Sequence, residues 1–286
     1  MNEKETGGDV AMKKNMKSNG SGLMTLLSIV FVCGTVVMAS AESTVTKTDG
    51  TVVKVKALRW VEGQASFNVV QADGSTFMLP KASIEKIEMD KPPKFALAES
   101  QLNSKQFDAA IFSLESVVSE YAKQGWDVEA ASQLAEIYLR KNDPKKAAAV
   151  METVVRGVAK IELSADAQLM YWKALLGQGA GSMAKLKVEL DEAIATGQRD
   201  IVAAAYIARG GMNHIKNDRE AALLDYLRVV ILFENVKSIQ PEALFKAAAL
   251  LDELKDRGGR GDILRRMLID KYPESSYTTQ ARSKMS

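Results

Sequence analysis

The sequence predicts an α+β chain in which a small β-domain precedes an all-α solenoid of about five helical hairpins closed by a C-terminal helix. Three observations carry that prediction. Asp-Gly pairs punctuate short β-favouring runs before residue 92, a tandem proline ends that pattern, and beyond it one helical motif recurs about every 37 residues.

The first 41 residues are set apart from the fold. Lys13, Lys14 and Lys17 form a basic run, Leu23 to Met38 is mostly apolar, and Ala39-Ser40-Ala41 supplies small residues. That order reads as a secretory signal cleaved after Ala41, with Met12 as an alternative start. The apolar core is short and is interrupted by Cys33-Gly34-Thr35, which disfavours a membrane anchor. The expectation is a periplasmic or secreted protein with no membrane span after cleavage. Cys33 is the one cysteine, so the cleaved chain has no thiol for disulfides, thiolate metal sites or nucleophiles.

Residues 42–92 form the predicted β-domain. Asp49-Gly50 separates Thr44–Lys47 from Thr51–Lys56, and Asp73-Gly74 separates Ala65–Val70 from Ser75–Leu79. Asp-Gly between such runs signals a hairpin, with positive φ expected at both turn positions. With Ile84–Ile87 this makes four or five strands, the size of an SH3-like or Sm-like domain. Its expected core is Val53, Val55, Leu58, Phe67, Val69, Phe77, Leu79, Ile84 and Ile87.

Lys91-Pro92-Pro93-Lys94 marks the boundary, because proline suits the first helical position and ends a strand. Residues 93–286 then follow a helical period. The segments 106–118, 143–155 and 218–230 align on Ala110, Ala147 and Ala222. The spacing places further small positions at Ala184 and Gly259. Twelve residues before each of these five stand Ala98, Ala135, Trp172, Gly210 and Ala247. Small residues twelve apart let two paired helices approach closely. Trp172 and the Gly-rich turn around Gly259 are departures where irregular packing is expected.

These paired small positions, with Tyr138 and Phe107 as accompanying aromatics, are similar to the tetratricopeptide repeat (TPR) family over about two-thirds of the chain. The closing segment 268–282 resembles the end of repeats in bacterial envelope proteins of the Tol–Pal and outer-membrane assembly type. Pro273 is expected to stop a helix, Ser275 or Ser276 to cap the next, and that last helix to shield the stack. The resemblance implies a concave face lined by the first helix of each hairpin, holding Glu99, Asn103, Glu136, Arg140, Lys173, Ile207, Gly211, His214, Leu251 and Asp252. Arg140 and Lys173 lack the asparagines that the family's peptide-carboxylate clamp requires.

Few residues are arranged for chemistry. His214 is the one histidine, without a second ligand at metal spacing, so no metal site is expected. The Gly-rich stretches 178–185 and 257–262 follow no strand and lack phosphate-loop form. A net charge of +2 with interspersed signs excludes a polyanion binder, and nucleic acid with it. The resulting expectation is a non-enzymatic adaptor or scaffold in the cell envelope, with a protein or peptide partner and no cofactor or catalytic residue. A self-assembling structural subunit is the alternative, and a periplasmic hydrolase a distant third.

Overall fold

The computed structural model describes residues 43–156 and 163–285. The signal-segment reading, residues 1–41, lies outside the described residues.

Six strands form the N-terminal module: β1 (Thr44–Lys47), β2 (Val52–Lys54), β3 (Ala57–Val61), β4 (Ser66–Val70), β5 (Thr76–Pro80) and β6 (Ile84–Glu88). They make two antiparallel sheets, ordered β2-β1-β6 and β3-β4-β5. One core unites them. Val45, Val55, Leu58, Phe67, Val69 and Leu79 are buried there, with Val53, Phe77, Ile84 and Ile87 packed around them. Strand β3 escapes sequence reading because Ala57-Leu58-Arg59-Trp60-Val61 follows β2 without a turn signal. Its partner fixes it: Trp60 stands opposite Phe67 on β4, their rings 5.1 Å apart.

Both Asp-Gly turns close hairpins, but by a different geometry from the one the dipeptide suggests. Only the glycines have positive φ, 82° at Gly50 and 84° at Gly74. Gly50 N–H donates to Lys47 C=O, and Gly74 N–H to Gln71 C=O. Each is therefore a type I turn followed by a left-handed glycine, and the aspartate instead accepts a hydrogen bond from the backbone two residues on.

Eleven described helices follow. They pair as α1 (Pro93–Asn103) with α2 (Phe107–Glu120), α3 (Trp126–Arg140) with α4 (Pro144–Val155), α5 (Ala165–Gly177) with α6 (Met183–Ala195), α7 (Arg199–Ile215) with α8 (Arg219–Leu232), and α9 (Gln240–Glu253) with α10 (Arg260–Lys271). Helix α11 (Ser276–Met285) closes the stack. Pro93 starts α1, as the tandem proline requires. A connection over residues 233–239 separates α8 from α9.

The five turns inside the hairpins share one device. Lys105, Asn142, Gly179, Asn217 and Lys255 all adopt the left-handed conformation, with φ between 57° and 76°. Around four of them the closing bonds repeat, as in Gln106 N–H to Gln101 C=O and Asp143 N–H to Tyr138 C=O. This is the Schellman ending that satisfies the last carbonyls of a helix. The first helices and these turns keep a period of 37 to 38 residues along the whole stack.

The second helices do not keep it, which corrects two expected positions. Ala184 is exposed and Gly259 is the residue before α10, with φ of 65°. Leu186 is buried instead at the place in α6 where Ala110, Ala147 and Ala222 stand in their helices, and on α10 Gly261 and Leu264 are buried. The cause is local. A 3₁₀ turn at Gly179–Ser182 and a longer turn before Gly259 delay the second helix by two and three residues. Large side chains consequently meet in the third hairpin. Trp172 is buried between α5 and α6, and α6 packs more extensively on α7 than on α5.

Gly210 serves the opposite purpose. A Cβ there would come 2.7 Å from the ring of Tyr226 on the paired helix, so only glycine admits that aromatic. Nearby, Asp225 is buried and accepts from Arg209 Nε (2.9 Å) and Nη2 (2.7 Å), Asn213 Nδ2 (3.1 Å) and Arg228 Nη1 (2.5 Å). At the end of the stack, Ser275 Oγ accepts from Tyr277 N–H, and α11 buries Thr278 and Ala281 against the last hairpin.

The β-module is fixed to the first two hairpins within one compact unit. Gln124 Nε2 donates to Leu58 C=O at 3.1 Å, and the Trp126 indole N–H donates to Met89 C=O at 3.0 Å.

Candidate functional site

The first helices α3, α5 and α7 pack side by side, and most of α5 and α7 is buried. Residues of α9 and α11 meet α3 and α5 at one pocket. Glu136 of α3, Asp166, Met170 and Lys173 of α5, Glu242 of α9 and Tyr277 of α11 line a pocket of about 260 Å³.

Its electrostatic centre is Glu242. This carboxylate is buried, and burial alone would push its pKa up. Lys246 Nζ at 2.8 Å and Lys173 Nζ at 2.5 Å overcome that and hold it at about 2. Lys246 is reached at i+4 along α9, whereas Lys173 comes from 69 residues away. The Tyr277 ring lies tilted 5.4 Å from that of Phe245, and its phenol is pushed up, first by burial and then by the Glu242 charge. Ser238 Oγ donates to Asp166 Oδ1 at 3.1 Å across the same mouth. The pocket thus presents a fixed, internally neutralised ion cluster surrounded by hydroxyl groups.

The residues expected on the concave face divide into three groups. Glu136 and Lys173 meet in this pocket, and Arg140 Nη2 pairs with Glu136 Oε1 at 2.6 Å beside it. Ile207 and Leu251 are corrections. Both are buried in the core, because the curvature turns those positions of α7 and α9 against neighbouring helices. The rest lie elsewhere. Glu99 pairs with Lys91 and Asn103 is exposed at the end of α1. His214 Nε2 lies 3.2 Å from Glu253 Oε2, which also accepts from Arg219, and Asp252 pairs with buried Arg265. Gly211 packs against the Leu176 side chain.

Sequence reasoning misses Glu242, Tyr277, Asp166 and Ser238. The Glu242–Lys246 spacing is visible in the sequence, but nothing in it marks that pair as buried. Larger clefts also lie where the β-module meets the first two hairpins. One of about 700 Å³ is walled by Trp60, Val118, Ala122 and Val150. Among the described residues no His, Cys, Asp and Glu side chains gather as metal ligands, and no helix is long and apolar enough to cross a membrane.

Comparison with known proteins places the fold. The chain is similar to a thermophilic TPR protein of Thermus thermophilus, TTC0263, at 16% identity and a TM-score of 0.50, over 67% of this chain and 97% of that one. It also resembles MamA, at 18% identity and a TM-score of 0.38, over 70% and 96% of the two chains. A third similar structure is YrrB, described as a TPR protein with an unusual peptide-binding site (15% identity, TM-score 0.35, over 68% and 92%). No family model and no curated protein matches the chain. The helical part is therefore a TPR-like solenoid, established by its fold.

Proposed function

We propose that this chain is a non-enzymatic adaptor of the cell envelope, periplasmic or secreted, that holds a protein partner on the concave face of its solenoid. The observation that carries the reading is the convergence of α3, α5, α9 and α11 on one pocket with Glu136 and Arg140 at its rim. A rigid helical concavity with polar groups at its edge suits an extended segment of another protein. The Tol–Pal-like ending and the basic-apolar-small leader support the envelope assignment, and the short strands of the N-terminal module support an SH3-like domain.

The ionised Glu242 argues against hydrolysis at this pocket. A carboxyl held at about 2 by two lysines is a poor general acid at neutral pH, and its Oε2 and Oε1 lie 2.5 Å and 2.8 Å from the Lys173 and Lys246 ammonium groups. The test is crosslinking of the tagged protein in its native envelope, followed by mass spectrometry, beside a Glu136→Arg/Arg140→Glu variant. A dominant partner lost in the variant is expected. Self-crosslinks alone, unchanged in the variant, would overturn the adaptor reading in favour of a self-assembling subunit. Lys173 is left intact in this variant because it neutralises Glu242.

A further inference from the structure

The N-terminal module has four strand edges, β2 and β6 in one sheet and β3 and β5 in the other. Natural sheets guard such edges with charge or cover. Strand β6 carries Glu85, Lys86 and Glu88, β2 carries Lys54, and buried Gln124 caps Leu58 C=O on β3. Strand β5, Thr76-Phe77-Met78-Leu79-Pro80, has no charged residue. Its Thr76, Met78 and Pro80 are exposed.

The free groups of β5 follow from its hairpin. Gln71 N–H donates to Ser75 C=O and Lys81 N–H to Ala65 C=O, at the two ends of the β4–β5 ladder. By the register between them, Phe77 and Leu79 spend their peptide groups on β4. The N–H and C=O groups of Thr76 and Met78 therefore point out of the edge. Pro80 ends this row, since it has no N–H and its C=O accepts from Ser83 Oγ at 2.8 Å.

That short segment complements itself. An antiparallel copy centred on Phe77 sets Thr76 opposite Met78 of the second copy, and Met78 opposite its Thr76. Each pair exchanges two hydrogen bonds, so every outward group of Thr76 and Met78 is met. The two Phe77 residues stand opposite each other, a favourable cross-strand aromatic pair. The same arrangement brings exposed Asp73, in the turn before β5, towards Lys81 of the second copy, just beyond β5. Neither residue is ion-paired among the described residues. A register centred on Met78 would instead oppose Thr76 to Pro80 and leave the Thr76 C=O without a donor.

We infer that β5 pairs with β5 of a second copy, joining two chains about a two-fold axis through one continuous sheet. Asp73 and Lys81 close both ends of the contact, and this charge match selects a second copy as the occupant. The contact is isologous, so assembly stops at two. It uses no residue of the concave pocket and stands or falls independently of the adaptor reading.

Sedimentation velocity of the purified protein over a concentration series tests the assignment. A reversible dimer with a Kd of about 10–100 μM is expected, as suits a small interface. Met78→Pro deletes an outward N–H that β4 does not use and should weaken the dimer about tenfold. Far-ultraviolet circular dichroism verifies that this variant keeps its sheet. Lys81→Asp should also weaken the dimer about tenfold, and Asp73→Lys in the same chain should restore it. The Glu136→Arg/Arg140→Glu variant should dimerise normally, which separates this edge from the concave face. A monomer throughout the series, a dimer indifferent to Met78→Pro and Lys81→Asp, or assembly beyond two overturns the inference. Crosslinks from β5 to a different protein, in place of a second copy, would assign the edge to that partner and overturn it as well.

Discussion

Lys173 Nζ lies 2.5 Å from Glu242 Oε2 and ties the third hairpin to the fifth across the inside of the solenoid. The partners are unequal, with Lys173 a quarter exposed and Glu242 almost wholly buried. The bond is therefore as much a structural tie as a feature of the concave surface.

That inequality predicts unequal mutational costs. Lys173→Met leaves Glu242 with Lys246 alone and is expected to cost about 1–3 kcal/mol, whereas Glu242→Ala strands two ammonium groups and opens a cavity, costing about 3–5 kcal/mol. Urea denaturation of both variants checks the order, and an equal loss in the two would refute it.

The same carboxylate sets an acid limit. Its folded value of about 2 lies below the ordinary glutamate value of about 4.3. A lowered folded pKa gives stability that is fully present above the unfolded value and is lost as pH falls towards the folded one. The midpoint of thermal unfolding should therefore drop between about pH 4.5 and 2. In Glu242→Gln, weaker throughout, that part of the slope should be absent. Parallel slopes in the two proteins would show that other carboxylates carry the acid sensitivity.

Gly210 faces the Tyr226 ring with no room for a methyl group. Gly210→Ala should destabilise by about 1–3 kcal/mol despite alanine's better helix propensity. Tyr226→Leu in the same chain should recover much of that loss. A stabilised Gly210→Ala would mean that α7 and α8 separate easily.

Asp225 is buried beneath two arginines and Asn213. Asp225→Ala should cost about 3 kcal/mol, the bottom of the range for breaking a buried ion pair, because Arg209 and Arg228 retain access to water. Arg228→Ala should cost much less, since Arg209 alone still forms two bonds to the carboxylate. Chemical denaturation of the two variants distinguishes them.

Much of the fold was legible because its signals are local. Pro92-Pro93 constrains the backbone directly, Ser275 needs only the next turn to cap, and the recurrence of small residues reflects contacts within one hairpin. The concave face was less legible. Ile207 and Leu251 occupy positions that suit either surface or core, and the curvature of the stack decides between them.

The sequence by itself determined the order of β-module, five hairpins and closing helix, because strand period, helix period and turn residues act over a few neighbours. Tertiary structure decided the rest. It recruited Ala57–Val61 as an edge strand, replaced Ala184 with Leu186 when a turn lengthened by two residues, and joined Glu136, Lys173, Glu242 and Tyr277 in one pocket. Those outcomes depend on pairing and curvature summed over many residues, and no short stretch of the chain contains them.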